Sequence, residues 1–180
     1  FYYEGEHVSI TKFAGMVERT VVLDGLSKSY AMTGWRVGYG LFPDELVEPI
    51  SRLVTNSVSC TAAFSQMAAA AAIEAPQESV RSMVAEFKRR RDIIVNGLNE
   101  IEGINCPEPK GAFYAFPNIA GLGLTSQEFE HRLLDEAGVS TLAGTSFGEF
   151  GEGYARFSFA NSQENLREAL RRMREWVTTL

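Results

Sequence analysis

Two apolar runs, residues 21–23 and 36–41, are separated by a link, residues 25–34, that is too short to contain a crossover helix. The strands predicted there therefore lie antiparallel, or side by side after a tight reversal. Val21, Val22 and Leu23 make the continuous run used by strands that are covered on both faces. Lys28 follows just past the carboxyl end of the first strand, where open α/β sheets place their ligand crevices.

A lysine alone says little, because most lysines are solvated surface charges. Here Ser27 adds a hydroxyl, Gly25 and Gly34 let the backbone pass close to a ligand, and Arg36 offers a planar fork suited to phosphate. Together they read as a phosphate site beside an amine. The stretch SKSYAMTGWRVG, residues 27–38, resembles the lysine signature of the class I, fold-type-I aminotransferases, and most closely the branch of bacterial and archaeal aspartate aminotransferases. Lys, Thr-Gly-Trp-Arg and Gly keep their order and spacing. The resemblance implies pyridoxal 5′-phosphate as cofactor, held as a Schiff base by Lys28 as the catalytic residue, with Ser27 and Arg36 on its phosphate. It implies an α/β fold: the end of a large, mostly parallel three-layer domain followed by a small α+β domain. The sequence departs from the pattern at Gly25, where one branch of the family carries Ser, so the phosphate hydroxyl falls to Ser27.

A net charge of -6 and a pI near 5.0 exclude the clustered basic surface that nucleic acid or an anionic membrane requires. The one basic run, residues 88–91, reads as the solvated face of a helix. Cys60 and Cys106 are too few for a disulfide framework or a zinc site, which suits a reducing cytoplasm. The alanine-rich run 61–73 is too short to span a bilayer and reads as a buried helix. His7 and His131 read as surface residues. The glycine pairs at 38/40, 121/123 and 151/153 lack the strand, helix and third glycine of a dinucleotide loop.

Pro43, Asp44 and Glu45 open a helix that carries Leu46, Ile50, Leu53 and Val54 at helical spacing. Residues 55–61 form a polar link to the alanine helix: a simple loop or, by the resemblance, a stretch at a homodimer interface near the partner's cofactor. From Pro76, apolar residues repeat at three and four (Val80, Met83, Val84, Phe87, Ile94, Val95, Leu98, Ile101) until Gly103 stops them, which predicts one helix over about 77–102 joining two domains, 1–96 and 97–180. In the second domain the expected order is a strand near 111–116, a turn at Gly121 and Gly123, a capping box at Thr125 and Glu128, a helix ended by Gly138, strands at 139–142 and 155–159, and a last helix. That helix is capped at Asn161 or Ser162 and buries Leu166, Leu170, Met173 and Val177. The chain opens on Phe1 without a Met and is expected to be a C-terminal piece. In the resembling family an Asp for the pyridine nitrogen and a Tyr for the ring hydroxyl precede this point. Residues from 97 on are expected to close a core, and those before it to expose apolar surface, including 21–23 and the alanine helix, and to self-associate. The piece alone is expected to give no transamination.

The second informative run is GTSFGEFGEGYARFSFA, residues 144–160. Arg156 sits in a strand pattern with Tyr154 and Phe157, so a guanidinium is held among aromatic walls. Its desolvation needs an anion, which is either a structural partner among the 23 acids or a substrate. Residues 156–160 resemble the Arg-x-Ser-x-Ala strand of class I aminotransferases, which implies that Arg156 grips the substrate α-carboxylate. Residues 144–148 resemble the Pro-Gly-x-x-Phe-Gly loop, with Ala143 where Pro is common, and residues 111–114 a strand lining the substrate's path. The implied reaction moves an amino group from an amino acid, aspartate by local similarity, to a 2-oxo acid. A carbon-sulfur lyase, a cyclopropane-carboxylate synthase and a non-catalytic module on the same fold are the alternatives.

Overall fold

The computed structural model describes all 180 residues, which form two compact units, Glu6–Ser82 and Phe1–Gly5 with Met83–Leu180. In the first unit, strands β1 (Val22–Gly25) and β2 (Gly38–Leu41) pair antiparallel, with Val22 opposite Leu41 and Gly25 opposite Gly38. Helices α1 (Asp44–Val58) and α2 (Ala63–Glu74) follow. The core here is small: Leu26, Met32, Val37 and Ala69. Leu23 is 74% exposed and Val21 43%, and α2 exposes Phe64, Met67 and Ile73, as expected for these segments in this chain. The apolar stripe of α1 is also uncovered, with no buried residue, since a two-stranded sheet and a small cluster have too little surface to cover it. The helix itself runs further than the predicted link at 55–61. Thr55 and Ser57 hydroxyls and the Asn56 amide donate to the carbonyls of Ser51, Leu53 and Arg52, so these polar side chains are satisfied along the helix and the link shrinks to residues 59–62.

Helix α3 (Glu78–Asn99) begins in the first unit and runs mostly in the second. There, β3 (Tyr114–Ala115), α4 (Ser126–Ala137), β4 (Leu142–Ala143), β5 (Ala155–Ser158) and α5 (Gln163–Val177) follow in order. The sheet has the order β3-β5-β4, antiparallel throughout. Ile94, Leu98, Ile119, Phe129, Leu133, Phe159, Met173 and Trp176 fill its core. The capping box forms: Glu128 accepts from the Thr125 N–H and hydroxyl at 2.9 and 2.8 Å, and Thr125 Oγ1 accepts from the Glu128 N–H at 3.2 Å. Gly138 ends α4 in the left-handed conformation, and Ser162 caps α5. On α5, Trp176 is buried beside Leu166, Leu170 and Met173, while Val177 is only partly covered.

The basic run departs from expectation. Lys88 and Arg89 are exposed, but Arg91 is 1% exposed, because helical spacing places it on the face of Phe87, Ile94, Val95 and Leu98. Its guanidinium donates to Asp92 at 2.9 and 2.7 Å, to the Pro109 carbonyl at 3.2 Å and to Glu4 at 3.3 Å, and pairs with Glu108 at 3.1 Å. It also lies 5.1 Å from the Tyr3 ring centroid. Residues 1–5 are thereby tied to this unit, reinforced by Tyr3 N–H donating to the Lys110 carbonyl at 2.9 Å and Ala112 N–H to the Phe1 carbonyl at 3.0 Å.

Candidate active site

The lysine loop leaves β1 at Gly25 and is anchored by Leu26, whose side chain is buried with Met32 and Val37. Leu26 N–H donates to the Val37 carbonyl at 3.4 Å, and the Leu26 carbonyl accepts from the N–H groups of Tyr30 and Met32, each at 3.3 Å. Ala31 N–H closes onto the Lys28 carbonyl at 3.1 Å. An apolar anchor and these bonds fix the backbone and leave the Lys28 side chain exposed, with Ser27 half-buried beside it in sequence. At the strand ends the cross-strand pair Asp24 and Tyr39 is bonded at 3.3 Å, and burial followed by the Asp24 charge pushes the Tyr39 hydroxyl up.

Two non-glycine residues of this loop lie in the left-handed region, Ala31 at φ 53° and Arg36 at φ 52°. Such backbone costs of order 1–3 kcal/mol per residue and persists where surrounding contacts over-determine it, which is common at ligand clamps. Arg36 Nη1 donates to the Thr33 carbonyl at 3.1 Å, so the fork is braced by its own loop. Neither Lys28 nor Arg36 takes part in an ion pair. Two cations and a hydroxyl on one short loop, without an acid to neutralise them, are a donor set that fits a phosphate-bearing group with a reactive carbonyl. Beside Arg36 an open groove of about 490 Å³ is lined by Gly34, Trp35, Thr61, Phe64 and Ser65.

Arg156 belongs to the other unit. It sits on the central strand β5, opposite Leu142 of β4, and its carbonyl accepts from the Thr141 hydroxyl at 2.7 Å. Its guanidinium carbon lies over two rings, 4.3 Å from the Tyr114 centroid and 4.4 Å from that of Phe147. The structural ion pair left open by the sequence is not formed: Arg156 has no acidic partner. The aromatic walls are present but are not the predicted ones. Strand alternation turns Phe157 into the core beside Phe129, and Tyr154 stacks on Phe116 at 5.5 Å. Tyr114 arrives instead from the neighbouring strand, where it pairs with Ser158, and Phe147 from the Gly-rich loop. Sequence reasoning named the elements holding both rings without assigning them to Arg156.

Residues 1–173 match the family described as Aminotransferase class I and II. Aromatic-amino-acid aminotransferase 2 of Thermococcus litoralis is 43% identical over 176 residues, covering 96% of this chain and 45% of that protein. An aspartate aminotransferase of Pyrococcus abyssi is 42% identical over 174 residues, with 96% and 44% covered. The crystal structure of an aromatic aminotransferase from Pyrococcus horikoshii OT3 matches with a TM-score of 0.95 at 40% identity, over 99% of this chain and 48% of that one. The chain thus spans about half the length of these relatives, and its fold is the C-terminal portion of the fold-type-I architecture. On the sequence match and the fold together, the chain belongs to the class I and II aminotransferase family.

Proposed function

We propose that this chain carries the lysine-bearing part of an enzyme that uses pyridoxal 5′-phosphate to move an amino group between an amino acid and a 2-oxo acid. Its similarity to enzymes named for aspartate and for aromatic amino acids supports substrates of those classes. The observation that carries the reading is the lysine loop: an exposed amine, a hydroxyl and a strained, unneutralised arginine fork held by buried Leu26. In this proposal Lys28 bonds the cofactor covalently, Ser27 and Arg36 hold its phosphate, and Arg156 receives the substrate α-carboxylate. Residues 6–82 contribute the cofactor side, and residues 83–180 with 1–5 the small domain, in a cytoplasmic homodimer. No helix is long and apolar enough to cross a membrane.

When bound, the cofactor supplies an electron sink for the pair released at the substrate Cα. The Lys28 amine, once free, would take the proton from the substrate Cα as general base and deliver it as acid to the carbonyl-derived carbon of the cofactor, so that the amino group stays there and a 2-oxo acid leaves. Arg36 and Ser27 keep the phosphate end still while bonds change, and a two-point grip from Arg156 fixes the orientation of the Cα–H bond, an effect that contributes several kcal/mol in well-oriented reactions. Lys28→Ala in the full-length protein is expected to abolish the yellow colour of the bound cofactor and to lower turnover by several orders of magnitude. Its fold should persist, because the side chain is exposed. Near-normal turnover would sink the proposal. Release of pyruvate and ammonia instead of a stoichiometric 2-oxo acid and amino product would point to a lyase.

A further inference from the structure

We propose that Tyr114 and Phe147 are positioning residues that hold the Arg156 fork ready for a carboxylate without neutralising it. This inference rests on the reading of Arg156 as the carboxylate receptor. A half-buried arginine normally meets an acid, which restrains the long side chain and compensates its lost hydration. Arg156 meets two rings instead, at 4.3 and 4.4 Å. An acid would fix the guanidinium equally well but would occupy the fork and compete with an incoming carboxylate. A ring attracts the cation through its quadrupole and presents no oxygen to take the paired N–H donors that bidentate recognition needs. The result is a receptor that has lost its rotamer freedom before the ligand arrives and still carries its full charge.

Both rings are themselves braced. Tyr114 lies on β3, paired with β5 through the Tyr114–Ser158 register. Phe147 closes the short helical turn Gly144–Phe147, and its ring meets the edge of Phe116 at 6.0 Å and 78°, while Phe116 stacks on Tyr154. The two ends of the Phe147 loop are tied by Gly144 N–H donating to the Tyr154 carbonyl at 2.8 Å. Fully buried Ser126 at the start of α4 fixes the C-terminal end of the loop, its hydroxyl donating to the Gly151 carbonyl and accepting from the Tyr154 N–H, each at 3.2 Å. Phe147 is 50% exposed, so its ring is poorly explained by core filling.

The test separates ring chemistry from bulk. In the full-length holoenzyme, binding of 3-phenylpropanoate and succinate is measured by calorimetry, together with KM and kcat, for Phe147→Leu, Phe147→Tyr, Tyr114→Leu and Tyr114→Phe. The leucine variants are expected to weaken carboxylate binding and raise KM by about 5- to 30-fold, with kcat and the cofactor spectrum within about twofold of the parent. The variants that keep a ring should stay within about twofold in every quantity. Leucine variants that bind like the parent would overturn the inference and show the rings to be cover alone. Arg156→Leu is the control: if it binds carboxylates like the parent, the assignment of Arg156 itself fails, whereas a loss there with unchanged leucine variants refutes only the role of the rings. Should Tyr114→Leu fail to fold, the half-exposed Phe147 position decides through Phe147→Leu and Phe147→Met.

Discussion

Replacing Arg91 by Met tests what ties residues 1–5 to the C-terminal unit. The guanidinium is 1% exposed and serves Asp92, Glu4, Glu108 and the Pro109 carbonyl. Removing one partner of a buried ion pair costs about 3–5 kcal/mol when the remaining charge is also buried. Here the acids left behind are 41%, 48% and 49% exposed, so water takes over much of their solvation. The Pro109 carbonyl loses a donor, a cost of about 1 kcal/mol or more, and the methionine side chain restores a similar amount by apolar contact. The net loss is then about 2–3 kcal/mol, below the full buried-pair value because of the wet acids. For a chain of this length that corresponds to a fall in Tm of about 4–12 °C. Thermal unfolding followed by circular dichroism at pH 7 measures it, and the loss should survive moderate salt, because the cation is shielded from solvent. An unchanged or higher Tm for Arg91→Met would refute the reasoning, showing that dehydrating the guanidinium outweighs everything it bonds.

Two further outcomes follow from titratable groups. Gln163, then Arg90 and Arg89, hold the Glu86 carboxyl at about 2, against an ordinary 4.5. With the folded value depressed, its stabilisation is present above pH 4.5 and is lost as the pH falls towards 2, so Glu86→Gln should lower the urea midpoint at neutral pH and converge on the parent across that window. A gap of constant size down to pH 2 would contradict this. Burial pushes the Cys106 thiol up to about 11, whereas Cys60 is exposed. One thiol per chain should therefore react with Ellman's reagent at pH 8 and the second only on unfolding; two fast thiols in the native protein would show that Cys106 is not shielded.

The frame of the lysine loop was legible because it is local: Ser27, the proposed Lys28 and Arg36 sit within ten residues, and a link too short for a helix left the antiparallel pairing that β1 and β2 adopt. The capping box at Thr125 and Glu128 was legible for the same reason. Arg91 shows the opposite. Its position in the repeat of Phe87, Ile94 and Leu98 marks it as inward-facing, but its charge type argued for solvent, and the acids that reverse that preference are supplied partly by Glu4, 87 residues away. Thr55, Asn56 and Ser57 looked like a loop because they favour turns, yet each bonds back along α1. The rings around Arg156 were hidden by register. Alternation along one strand says which way Arg156 and Phe157 diverge, but only the pairing of β3 with β5 brings Tyr114 across.

The ends of the Phe147 loop meet so closely that a Cβ on Gly144 would collide with the Gly151 carbonyl oxygen, and one on Gly151 with the Gly144 carbonyl. Neither glycine accepts a side chain while the other's carbonyl stays where it is, so the two positions form a single locked pair. Between them only Gly148, at φ 124°, is also held to glycine, by its backbone rather than by lack of space, while Thr145, Ser146, Phe147, Glu149 and the 91% exposed Phe150 are under no such lock. Side-chain variation in what approaches Arg156 from this side is therefore confined to five positions, 145–147, 149 and 150, between fixed glycines. A library that randomises only those five positions and keeps Gly148 would vary the tip and leave the loop's closure untouched.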